Sequence, residues 1–117
     1  MVRVYKFKFS QLEIKVLREL TSLILDFNIE GYERYGDDLE LLRGAFSSPL
    51  SHNDYENFIL TYSEMALLWY ILEENQEEVS NIINQYKSIV EGLEYKLYEV
   101  LTDYVRKVLE GDEKYYE

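Results

Sequence analysis

The chain has one histidine, and its neighbours make it the first place to look for chemistry. His52 follows Ser51 and precedes Asn53 and Asp54, so the residue types of a hydrolytic triad stand together. A nucleophile, its base and the acid orienting that base must converge on one substrate atom from separated elements. Neighbours in one loop do not converge, so the expected reading is a polar turn with a solvent-exposed histidine. With one histidine and no cysteine, the usual zinc sites, disulfides and thiol nucleophiles have no residues to draw on.

Carboxylates are plentiful, 23 against 12 lysines and arginines. Di-iron bundles place Glu-x-x-His on their helices, a pattern missing here. Calcium loops alternate oxygen ligands around a glycine and close on a glutamate, unlike Asp37-Asp38-Leu39-Glu40. The densest run, Glu73-Glu74-Asn75-Gln76-Glu77-Glu78, reads as a solvated connection, with Glu77 and Glu78 favouring the start of the next helix. Glu13 and Glu64 stand three residues after Ser10 and Thr61, where helix capping accounts for them. Glycines at 31, 36, 44, 92 and 111 are too scattered for a phosphate loop. No catalytic, metal or cofactor residue is expected, and the chain is read as non-enzymatic.

Tyrosine stands above background, with 12 in 117 residues. Several adjoin acids, as in Tyr32-Glu33, Glu94-Tyr95 and Tyr98-Glu99. Tyrosine offers stiff, amphipathic contact area at low entropic cost and is enriched at protein interfaces. Beside carboxylates it suits a basic partner, the rings stacking on arginine while the acids pair its charge. Tyr32, Tyr35, Glu94, Tyr95, Tyr98 and Glu99 are therefore the expected partner-binding residues.

These side chains have to be carried by elements. Val2 to Phe9 has the β-branched and aromatic content of a short strand. Ser10 then starts a helix over about 11–28, with Leu12, Val16, Leu17, Leu20, Leu23, Ile24 and Phe27 at helical spacing. Asp37 is the expected cap of a short second helix, ended near Ser47-Ser48-Pro49 because a residue before proline leaves helical geometry. Phe58-Ile59-Leu60 reads as another extended piece, and Thr61 as the cap of a third helix. Phe7–Glu13 and Phe58–Glu64 align without a gap at an offset of 51 residues. That match fits an internal repeat of 7–57 and 58–111, or two separate capping boxes, which are common. From Val79 to Val108 apolar residues recur every three or four positions, predicting one long helix, continuous or mildly kinked, over about 77–110. Gly92 lies inside it, and Gly111 is placed to end it.

The expected architecture is a single mainly α domain over 1–117: about four helices in two hairpins, with a possible two-stranded ribbon. A last helix that outruns its partners needs cover. That mismatch predicts a homodimer joined through Trp69, Leu97, Leu101 and Tyr104. Residues 1–28 are net basic, while the net charge of −11 comes from the rest. Such acidity disfavours nucleic acid and anionic membranes, and permits a basic protein partner. The opening residues lack the apolar core of a signal peptide and no apolar run could span a bilayer, so a cytoplasmic location is expected. The expected function is an acidic protein-binding module acting as an inhibitor or antagonist. The alternative is an assembly protein that self-associates through its last helix.

Overall fold

The computed structural model describes residues 4–73 and 77–110, with side chains through Tyr104. Among them run β1 (Val4–Phe7), α1 (Gln11–Asp26), a single 3-10 turn (Glu33–Tyr35), α2 (Gly36–Ser47), α3 (His52–Glu56), β2 (Phe58–Thr61), α4 (Tyr62–Leu72), α5 (Glu77–Gln85) and α6 (Lys87–Glu110). The architecture is the expected mainly helical bundle with a ribbon. β1 and β2 pair antiparallel in the register Val4↔Thr61 to Phe7↔Phe58. Beneath the ribbon, Phe7 stacks on Phe9 at 5.3 Å, Phe9 meets Phe58 edge-on at 5.6 Å, and Phe58 lies 5.4 Å from Phe46 of α2. Truncating such a buried ring to alanine typically costs about 3–5 kcal/mol.

Capping chemistry sets the helix starts. The Ser10 hydroxyl accepts from the Glu13 amide at 3.0 Å while Glu13 accepts from the Ser10 amide at 2.8 Å. Thr61 and Glu64 repeat the arrangement at the start of α4. Ser51 and Asp54 form a third box, which turns the expected 51–54 loop into the one-turn helix α3. Asp37 is not a cap. It sits in the first turn of α2, which follows directly from the 3-10 turn and has no side-chain cap. α1 ends through Asn28, whose φ of 50° takes the left-handed conformation that asparagine tolerates better than most residues. This lets the Ile29 amide reach back to the Ile24 carbonyl at 3.1 Å, with both side chains buried.

α1 is the central rod, packed against α2, α5 and α6, and α4 packs against α6. The predicted long helix is present over the expected span but is divided in two. It is interrupted at Tyr86, between α5 and α6, and not at Gly92, which lies within α6. The physical reason is packing: α5 lies along α1, whereas α6 serves both α1 and α4. Helical hydrogen bonding persists across the joint, from the Tyr86 amide to Ile82 O and from the Val90 amide to Tyr86 O. Val2, Gly111, residues 74–76 of the acidic run and the apolar positions of the sequence beyond Tyr104 lie outside the described side chains.

α6 is pinned to α1 by one charged contact. The Lys96 ammonium donates to Glu13 Oε1 and to the Lys8 carbonyl, each at 2.7 Å, and lies 5.6 Å over the Phe9 ring. Glu13 is buried, so this carboxylate both caps α1 and holds the last helix. Capping alone did not account for it.

Candidate functional site

α4 and α6 run antiparallel, and their shared seam collects the tyrosine and carboxylate residues. At one end Tyr62 stacks on Tyr104 with ring centroids 4.0 Å apart. In the middle Trp69 meets Tyr98 at 5.8 Å. At the far end Glu94 hydrogen-bonds to Glu73, which caps the C-terminus of α4. Apolar residues of α6 such as Val90, Leu93 and Leu97 turn inward, which leaves Tyr95 and Tyr98 64% and 56% exposed on the solvent side.

Electrostatics on this face are one-sided. Partial burial, the hydrogen bond to Glu73 and the charges of Glu73 and Glu91 push the Glu94 carboxyl up to about 7. Glu94 in its protonated form donates to the Glu73 carboxylate. The Tyr95 hydroxyl donates to Glu99 one turn later, and this hydrogen bond followed by the Glu99 charge raises its pKa, making it a weaker acid than a free phenol. No lysine or arginine occurs between Arg43 and Lys87, a stretch that includes all of α3, α4 and α5. Up to Tyr104, α6 has two lysines. Lys96 is turned to the α1 flank, and Lys87 stands at the first residue of the helix.

Four of the six expected partner-binding residues, Glu94, Tyr95, Tyr98 and Glu99, thus share one part of α6. Tyr35 is elsewhere, half-buried in the 3-10 turn. Tyr32 corrects the expectation: it is 2% exposed, its ring tilted against Tyr70 at 5.3 Å, and it belongs to the core. The expected dimer residues divide as well. Leu97 is fully buried and Tyr104 is 9% exposed under Tyr62, so the same chain already covers both. Trp69 and Leu101 are half-buried. Tyr62, which was not singled out, and Glu73, read only as part of a solvated connection, complete the seam. The cation-free stretch from 44 to 86 is the sequence signal that points to them.

The triad-like residues form no constellation. Ser51 and Asp54 are engaged in their capping box, and the exposed His52 ring lies 3.8 Å from Glu56. Among the described residues no group of three or more His, Asp or Glu is placed to hold a metal ion, and no helix is long and apolar enough to cross a membrane. Comparison of the chain with protein-family models, with curated proteins and with solved structures finds no match.

Proposed function

We propose that the protein is a non-enzymatic binding module that presents the α4–α6 face to a basic protein partner, acting as an inhibitor or antagonist of it. The observation carrying this reading is the coincidence on α6 of exposed Tyr95 and Tyr98 with Glu94 and Glu99, on a side where α4 has no cation. A partner arginine laid on Tyr98 and Trp69 would find ring faces for its guanidinium plane and carboxylates for its charge. The surrounding acidity would speed encounter with a positive surface and make binding sensitive to salt. A cysteine-free chain suits a reducing compartment such as the cytoplasm.

Binding should be measured for the intact protein and for a variant carrying Tyr95→Ala, Tyr98→Ala, Glu94→Gln and Glu99→Gln, against any basic protein it retains from host lysate. All four side chains are exposed or half-buried, so the variant is expected to fold. Retention at low salt, release at high salt and at least about tenfold weaker binding by the variant is the expected result. Retention that ignores both salt and the four substitutions would sink the reading. The self-association alternative is opposed by the burial of Leu97 and Tyr104 within the chain. It predicts a mass that grows with concentration from the 14.1 kDa of one chain.

A further inference from the structure

A groove between the first turns of α1 and the turn after α2 has a chemistry opposite to that of the α4–α6 face. It is an open groove of about 570 Å³, within the ~300–1,000 Å³ typical of small-molecule sites. Ile14 and Phe46, both buried, form its floor, and Pro49, Leu50 and Tyr55 contribute an apolar wall. The opposite wall carries Lys15 and Arg18, which stand side by side at i and i+3 on α1.

Neither cation has a carboxylate partner among the described residues. The contact made by Lys15 is with the Tyr86 ring, 5.8 Å from its ammonium. Glu19, the acid next to Arg18 in sequence, does not line the groove. Elsewhere Lys8, Arg43 and Lys96 are all committed to carboxylates. In a chain with nearly twice as many acids as bases, two adjacent cations without acids beside a groove that is apolar on one side, with Gln11, Ser47 and Ser48 at its polar edge, define a specific complement.

We propose that this groove binds a small amphipathic anion, a carboxylate on a short aliphatic or aromatic body. Its head would lie between Lys15 and Arg18 and its body against Phe46, Leu50 and Tyr55. A guanidinium offers two parallel donors to a carboxylate, and the neighbouring ammonium adds a third. An apolar body alone would leave both cations partly desolvated and unpaired. A bare anion would leave the apolar wall in water. The ligand class therefore needs both halves. This inference rests on α1 and the 46–55 segment, apart from the α4–α6 face.

The test is an amide chemical-shift titration of the full chain with sodium octanoate, with sodium acetate and 1-octanol as controls. It is repeated on the double variant Lys15→Gln, Arg18→Gln. Octanoate should shift amides within 11–18 and 46–55 saturably, and its affinity should fall by at least about tenfold in the double variant. A second variant, Leu50→Glu at the half-exposed wall, should also weaken octanoate and keeps the test open if the first variant misfolds. Equal affinity for octanol would refute the charged contact, and equal affinity for acetate would reduce the site to an adventitious ion only. Shifts outside the groove, or octanoate binding unchanged in both variants, would overturn the proposal.

Discussion

At Glu94 the carboxyl group has lost part of its water and faces Glu73, with Glu91 nearby, so it releases its proton near pH 7 instead of near 4.5. An unfolded chain releases that proton near the ordinary value, so between the two pH values the folded protein holds it and the unfolded chain does not. The contribution of Glu94 to stability is therefore full below about pH 4.5 and is lost as pH rises to about 7. Melting temperature is expected to decline from pH 5 to pH 8, and Glu94→Gln should remove much of that decline and melt higher at pH 8. An equal decline in the variant would assign it to other groups. Sequence marked Glu94 as a surface acid but not its pairing with Glu73. The pair exists only because α4 and α6 lie antiparallel, and no local spacing encodes that. Glu13 has the same lesson: its cap is local and legible, while its contact with Lys96 spans 83 residues and is not.

The starts of α1 and α4 were legible because a capping box is complete within four residues, whereas Asp37 proved no cap and the Ser51–Asp54 box was read as a loop. Both expected boxes formed, and Thr61 and Phe58-Ile59-Leu60 fell where periodicity and composition put them. The end of β1 and the start of α1 were equally local. The interruption at Tyr86 was not legible, since the apolar stripe continues through it and the break reflects which partner each half packs against. Gly92 drew attention as a breaker, yet a Cβ built there meets nothing closer than Glu13 Oε2 at 3.9 Å, ordinary van der Waals contact. Gly92→Ala should therefore stabilise the protein by about 0.5–1 kcal/mol through helix propensity. The urea midpoint should rise with unchanged slope. A lower midpoint would mean that α6 needs the open space beside Glu13.

Across the whole molecule, charge is the dominant long-range quantity. A net −11 on 117 residues makes the folded state repel itself, while ion pairs such as Lys8–Glu56 and Arg43–Asp26 work the other way. Exposed pairs contribute about 0–1 kcal/mol each, so repulsion among the excess acids is expected to win. Raising sodium chloride from roughly 0.02 to 0.3 M, which shortens the screening length below about 10 Å, should raise the melting temperature at pH 7.5. A fall would show that ion pairs outweigh repulsion. The fold class, the ribbon and the acidic tyrosine surface were readable from composition and pattern. The interior position of Tyr32 was not, because its burial depends on where α4 brings Tyr70. The ribbon also has a kinetic side. Phe7 and Phe58 lie directly opposite each other yet 51 residues apart, with α1, α2 and α3 strung between them. Those helices can form within their own stretches of chain, but pairing the strands requires closing that long loop. The clasp that joins the start of the chain to its middle thus waits on closure of a long loop that no single helix can shorten by forming alone.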